Sequence, residues 1–545
     1  MNALRHSLER VRALGGVLRA LPYYRLDNAR LEASLGEMRY QLDAVAAQAN
    51  EIAARLLTQE STNEQIFAQL VQATARAAAA AGDHRLVPAF EVRGEDAGPA
   101  GPLKIGLFDN LANQAYITAR ALRRLGHDVD VVLQTNLHDM YVMAHPQWEE
   151  CEAQDIDPLR FDVDTFGWTA PEFVKDHPYD LERQIAFQRK SETVSQVKEL
   201  YQSSFGKQIS DDVALLLAQF MGHWDYIRAM NDYDVVMLSM NAITLGLFSP
   251  KPVVVCPLGN DVYTRGFQED VGGLITRAAF RQAAHLAVPE TDYFGYLDRM
   301  ETTAPRSFMP LIVDTDVYCP GAEPDLRAEW QARIGGEHFL LGVCRQDWVW
   351  KGSDKLIRGF ARFRAANPKL AAGWRLLLQS WGTDLEASRG LVTELGLDDV
   401  TLWLSLCSKP LLRRRQRAAD AVADQFVMEG YGASVLESLA AAKPVIMRPV
   451  PDSSEHHFRT APPPFIGAAT DVEIGHALVR LADPHTRKAA GEASRAWVEA
   501  EHGYRTLGPL YMVMFEQAAR HPASSSASVA RPSAAAAPTR KNRIL

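Results

Sequence analysis

The sequence predicts an α/β protein of two doubly wound domains facing a cleft, preceded by a helical extension. Three observations carry this expectation. A strand–helix–strand pattern begins at Leu103, the same pattern restarts at Phe339, and the first hundred residues show helical periodicity without any strand signal. At 545 residues, with 47% apolar and 23% charged, the chain is long enough for three or four globular units.

Residues 1–91 read as helix. Leu4, Leu8, Val11, Leu14, Leu18 and Leu21 recur at steps of three and four beside six arginines, a basic amphipathic pattern that stops near Pro22. A peripheral membrane anchor and a helix packed on its own protein are both open readings. Leu31, Leu35, Met38, Leu42, Val45, Ala49, Ile52 and Leu56 alternate steps of four and three. That seam is expected to form a coiled coil, which makes residues 31–56 the candidate homo-oligomer contact. Residues 92–102, rich in Gly and Pro, read as a linker.

Residues 103–318 form the first expected Rossmann-like domain. Lys104–Phe108 is a short apolar strand, Asp109–Gln114 a loop, and Ala115–Leu125 a helix closed by Gly126. Val129–Leu133 completes a parallel βαβ unit. Residues 136–206 read as an insertion with helices, followed by buried strands at Val235–Leu238 and Pro252–Cys256. Residues 319–505 form the second domain. Its strands are Phe339–Cys344, Trp374–Gln379, Val400–Leu404 and Pro444–Met447. Its helices are Ser353–Ala365, Leu385–Leu395, Leu411–Ala419 and Ala433–Ala442. Residues 506–520 are expected to cross back as a helix, and the Ala/Ser/Pro-rich 521–545 reads as a disordered tail.

The formal charge is −9, from 58 basic and 67 acidic residues, and it describes an acidic body with basic ends. Net acidity argues against a dedicated nucleic-acid binder. Five cysteines without a C-x-x-C pair give neither a zinc motif nor a disulfide framework, so a reducing, cytoplasmic setting is expected. No apolar run reaches the span of about 18 residues that crosses a bilayer. Association with the inner face of a membrane would have to be peripheral.

The strongest chemical signal is Glu429-Gly-Tyr-Gly-Ala-Ser-Val-Leu-Glu437. Gly430 and Gly432 bring bare backbone to a helix start at Ala433, where free N–H groups and the positive dipole end favour a diphosphate. Glu437, one turn inside, has a carboxylate suited to vicinal ribose hydroxyls. A turn carrying two solvated acids is the plainer reading of the same spacing. Arg345 and Lys351 lie six residues apart on a strand–helix loop, where both can face the cleft; a surface pair is the plainer reading of the same two residues. Arg413-Arg-Arg-Gln-Arg417 reads as a solvated helix face, with lipid phosphates or an anionic acceptor as the alternative.

These blocks resemble retaining glycosyltransferases of family 4, which have the GT-B fold. Glu429–Glu437 resembles their E-x7-E motif. Leu341–Phe360 resembles the Arg…Lys-Gly block that grips the donor diphosphate, and Pro310–Pro320 resembles the segment crossing between domains. The likeness runs from about Leu103 to Arg520. It implies transfer of a sugar from a nucleotide diphosphate sugar to a glycan, lipid-linked or other acceptor, in polysaccharide or cell-envelope synthesis, with retention and without a metal. It also implies roles: Arg345, Lys351 and Glu429 as catalytic, and Gly430, Gly432, Ala433 and Glu437 as donor-binding. On the acceptor or phosphate side stand Asn110, Asn113 and Asp261. Two departures stand out. The loop Asp109–Gln114 lacks the family's Gly pair, and Leu258 occupies the His position of its His-Gly-x-Asp segment. Two rival readings remain: another GT-B enzyme such as a nucleotide-sugar epimerase, and a scaffold whose transferase domains bind without turnover.

Overall fold

The computed structural model describes residues 102–134, 144–156, 168–188, 193–428, 430–450 and 457–520. The coiled-coil seam at 31–56, the basic N-terminal helix, nearly all of the linker, the tail and Glu429 lie outside the described residues.

Two all-parallel sheets form the frame. The first comprises β1 (Lys104–Phe108), β2 (Asp128–Leu133), β3 (Val174–Asp176), β4 (Val235–Ser239), β5 (Val253–Cys256), β6 (His285–Val288) and β7 (Arg306–Phe308). Their spatial order is β3-β2-β1-β4-β5-β6-β7. The second comprises β8 (His338–Gly342), β9 (Trp374–Gln379), β10 (Thr401–Leu404), β11 (Ala421–Ala423), β12 (Val445–Met447) and β13 (Ile466–Gly467), ordered β10-β9-β8-β11-β12-β13. Central strands such as β4 and β5 are buried along their whole length, which is why they read as continuous apolar runs. The order in which strands are added reverses once in each sheet: between β1 and β4 in the first, and between β8 and β11 in the second. Ligands of open parallel sheets bind beyond the carboxyl ends at such points.

Seven helices position the site. They are α1 (Gln114–Arg124), α2 (Gln147–Glu150), α3 (Ser353–Ala366), α4 (Lys409–Ala418), α5 (Ala433–Ala440), α6 (Pro484–Glu501) and α7 (Tyr504–Arg520). Helix α1 ends as its sequence implies. Gly126 has φ +91°, its N–H donates to Arg123 O at 2.9 Å, and the His127 N–H donates to Leu122 O at 3.1 Å, the paired bonds of a Schellman cap.

The chain crosses between the sheets twice at one place. Val313 pairs with Gly503 as a parallel bridge, and its N–H donates to His502 O at 2.8 Å. Helix α7 then packs on the first sheet, inserting Tyr504, Leu507, Tyr511 and Phe515 into the core that holds Ile105, Ala119 and Val131. Asp314, fully buried beside this crossing, accepts from Arg124 on both oxygens at 2.8 Å, with Arg120 at 3.1 Å. Among the described residues no helix is long and apolar enough to cross a membrane.

The Arg413–Arg417 run differs from its expected solvated face. Arg415 is buried and donates to Ser405 O at 2.7 Å. Arg414 pairs with Glu323 at 3.0 Å and Glu152 at 3.1 Å, and Arg417 holds the Cys319 carbonyl at 3.0 Å. Residues on three other segments meet this helix, so its charges are spent on tertiary contacts.

Candidate functional site

The two loops that leave β8 and β11 at their carboxyl ends are laced together. The Phe426 N–H donates to Lys351 O at 2.8 Å, and Lys355 Nζ donates to Phe426 O at 3.1 Å. Asp347 organises the first loop. Its Oδ2 accepts from Arg345 Nε at 3.1 Å and Nη2 at 2.8 Å, its Oδ1 accepts from the Trp350 N–H at 2.9 Å, and its own N–H donates to Ser353 Oγ at 3.0 Å. The Arg345 guanidinium is thereby fixed at one edge while its side chain stays 37% exposed. Lys351 Nζ donates to Gln425 Oε1, and Gln425 Nε2 donates to the Gly430 carbonyl. One amide side chain therefore ties the ammonium to the glycine turn.

Gly382 seats this loop from behind. It has φ +123°, and a Cβ there would lie 2.3 Å from Gln346 O and 2.6 Å from Gln346 N. Gly382→Ala is therefore expected to destabilise the protein by about 3 kcal/mol, from backbone strain and overpacking together. A urea midpoint identical to wild type would show that the loop is not seated on this contact.

The helix that follows the turn, α5, begins at Gly432 without a capping side chain. Its first N–H groups are thus available to a ligand's oxygens. Glu437 lies one turn in, 3% exposed; its Oε1 pairs with Lys409 of α4, and its Oε2 has no partner. Two acids border the phosphate side. Asp424 accepts from Cys344 Sγ at 2.8 Å and faces Lys351; burial pushes its carboxyl up. Glu290, on the loop after β6, reaches over from the first sheet. It accepts from the Tyr431 N–H, and its carboxylate lies 3.4 Å from where a Cβ on Gly430 would sit. Burial pushes Glu290 well above the ordinary carboxylate range, and Lys351 pulls it back only in part.

On the first sheet, the loop after β1 replaces the missing glycines by strained backbone. Asp109, Ala112 and Asn113 have φ of +71°, +50° and +60°. Asn110 pins the loop: its Nδ2 donates to Asn113 Oδ1 at 2.9 Å and Ala144 O at 2.6 Å, and its Oδ1 accepts from the Tyr116 N–H at 2.9 Å. The Asn241 N–H, from the segment after β4, donates to Asp109 Oδ2 at 3.2 Å. Asp261 is buried at the end of β5 and accepts from the backbone N–H groups of Leu258 and Val262, at 3.1 Å each; burial pushes it up to about 6. Leu258 packs against the core shared with α7.

The structure thus groups Arg345, Lys351, Gly430, Gly432, Ala433 and Glu437 on the second sheet, and places Asn110, Asn113 and Asp261 on the first. The sequence reading missed Asp347, Gln425, Lys409, Glu290 and Glu149. Asp347 was findable from its spacing beside Arg345; the others acquire their place only through tertiary packing.

No protein-family model matches the chain. D-inositol 3-phosphate glycosyltransferase of Stackebrandtia nassauensis is 31% identical over 139 residues, 25% of this chain and 31% of that protein. The match therefore spans about a third of that relative's length. Among solved structures, Anabaena HepE in complex with UDP and glucose superposes with a TM-score of 0.52 at 12% identity, covering 75% of this chain and 98% of that one. The Candida albicans trehalose-6-phosphate phosphatase N-terminal domain gives 0.53 at 12% identity, covering 79% and 99%. A UDP-forming α,α-trehalose-phosphate synthase from Burkholderia xenovorans gives 0.50 at 10% identity, covering 77% and 100%. At such identities the likeness is one of fold, and with the two parallel sheets it identifies the GT-B architecture.

Proposed function

We propose that the chain is a retaining, family-4-type glycosyltransferase that moves a sugar from a nucleotide diphosphate sugar to a glycan, lipid-linked or other acceptor. The observation that carries this reading is the switch point between β8 and β11. A guanidinium on Asp347, an ammonium on Gln425 and an uncapped helix N-terminus meet there on two tied loops. A diphosphate is the ligand that such a set neutralises. The short match to a glycosyltransferase and the UDP bound by a protein of like fold support the same reading.

As the bond to the sugar breaks, charge grows on the departing phosphate, and Arg345 and Lys351 stabilise it. Glu437 takes the ribose hydroxyls, the Gly430–Ala433 backbone takes the diphosphate and sugar, and Glu429 contacts the sugar. The basic pair and the helix terminus supply the neutralising charge, so the reading requires no metal. The acceptor enters over the first sheet, near Asn110, Asn113 and Asp261. A cytoplasmic enzyme of cell-envelope or polysaccharide synthesis, peripheral to the membrane, fits the basic ends of the chain.

A panel of nucleotide sugars tests the proposal through thermal stability and slow donor hydrolysis. Stabilisation by one nucleoside diphosphate, lost in Arg345→Ala, is the expected result. No shift with any nucleotide would sink it.

A further inference from the structure

The insertion leaves the first sheet and docks on the second. Gln154 pairs with Cys407 as an antiparallel bridge, and the Ala153 N–H donates to Ser408 Oγ at 2.8 Å. Glu149 of α2 fastens the segment: it is fully buried, and its Oε1 accepts from the Tyr318 hydroxyl at 2.6 Å. Residues 152–155, thus held, form one wall of a cavity of about 840 Å³ that opens to solvent. The other walls come from the edge strand β10, from Ser380 after β9, from α4, and from the helices Pro324–Ile334 and Leu385–Glu394. The volume lies near the upper end of small-molecule sites, about 300–1,000 Å³. Neither Arg345, Lys351 and Glu437 nor Lys409 lines it, so it is separate from the group gathered at the switch point.

Arg415 of α4 is built into this cavity. It is only 4% exposed, and one of its N–H groups donates to Ser405 O at 2.7 Å. Beyond the Cys407 thiol, its other donors meet no partner among the described residues, and none of those nitrogens is sealed from solvent. Among the described residues, four carboxylates and four guanidiniums line the space. Two of each are spent on one another: Arg414 holds Glu152 at 3.1 Å, and Arg333 holds Glu329 at 3.2 Å. Arg389 stands over the half-buried Trp403, 5.7 Å from its ring centroid. Asp155 and Asp325 make no ion pair with any described residue.

Open donors and open acceptors therefore line one cavity beside an indole. An anion there would meet the carboxylates, and a cation would meet the guanidiniums. A hydroxyl satisfies both, because it donates and accepts. A compact ring that carries many hydroxyls and one apolar face is a sugar, and that face matches an indole.

We propose that this cavity is a second binding site, for a neutral oligosaccharide. Sugar hydroxyls donate to Asp155 and Asp325 and accept from Arg415, and one ring lies against Trp403. The size of the cavity suits more than one ring. The site goes beyond the transferase reading and does not depend on it, since the two share no residue.

An array of neutral and acidic oligosaccharides probed with the full chain tests it. Wild type is expected to retain at least one neutral oligosaccharide of two or more rings. In calorimetric titration with that glycan, Arg415→Met is expected to raise Kd about tenfold, the worth of one hydrogen bond to a charged group. Asp325→Ala is expected to do the same, and because Asp325 is exposed its loss spares the fold even if Arg415→Met unfolds. Arg345→Ala is expected to leave glycan affinity unchanged while losing nucleotide binding, so the two sites fail separately. Retention of no neutral oligosaccharide by wild type overturns the proposal. Wild-type affinity in both cavity variants overturns it too, because the glycan then sits elsewhere. Displacement of the glycan by inorganic phosphate marks an anion site and overturns it as well.

Discussion

Lys351→Ala is expected to lower kcat for sugar transfer by about 10²–10³-fold while raising the donor KM far less. The ammonium is held in advance by Gln425, which is itself tied to the Gly430 carbonyl. Its position therefore costs no reorganisation when charge develops on the leaving phosphate. Removing it also leaves Asp424 and Glu290 without the cation that both face, so their carboxyls stay protonated across a wider pH range. Lys351→Arg is expected to rescue poorly, because a planar fork does not fit a socket shaped around a point charge. Steady-state kinetics decide the matter. A loss carried by KM alone would mean that Lys351 binds the ground state and does not stabilise the departing diphosphate.

Glu437→Ala is expected to fail in two separable ways. Lys409 has a side chain 9% exposed and loses its ion-pair partner, so unfolding stability should fall by about 3–5 kcal/mol, with nearby Glu149 holding the loss toward the lower end. Nucleoside diphosphate binding should also fall, because the acceptor assigned to the ribose is gone. The double substitution Lys409→Met with Glu437→Leu separates the effects. Apolar replacement of a buried pair restores stability, whereas binding stays lost. Urea unfolding and calorimetry on the two proteins are the measurements. Recovery of nucleotide affinity in the double variant would remove Glu437 from the site.

The central strands were legible because burial on both faces writes them as apolar runs: β1, β4, β5, β8 and β9 all carry that mark. The edges were not. β3 is Val-Lys-Asp and half exposed, and β7 is Arg-Ser-Phe. β11, though inside the second sheet, is only a three-residue Ala-Val-Ala that follows an Ala-rich helix end. β6 hides behind His285, which sits in the strand and bonds Ser307 Oγ at 3.0 Å. In the candidate site, Arg345, Lys351 and Glu437 were proposed from the short motif blocks that carry them, stretches whose residues chain order alone holds near one another. Glu149, Glu290 and Lys409 look like ordinary surface charges in sequence, and only the packing of distant segments buries Glu149 and Lys409 and brings Glu290 to Gly430. The arginines of α4 were misjudged for the same reason. The loop after β1 carried a partial signal: of the two Asn residues that stood where glycines were expected, Asn113 takes the left-handed backbone and Asn110 does not, and Asp109 and Ala112 take it as well.

Helix α7 has a consequence for biogenesis. It completes the core of the first sheet, yet it is encoded some two hundred residues after β7, beyond the whole second sheet. A ribosome releases the chain from its N-terminus at about 5–20 residues per second. For the time needed to make the second domain, the face that will receive Leu507, Tyr511 and Phe515 is uncovered. The first domain can therefore reach its final stability only after the whole second sheet and α7 have been made. Nascent chains stalled before residue 504 should be the aggregation-prone and chaperone-bound species.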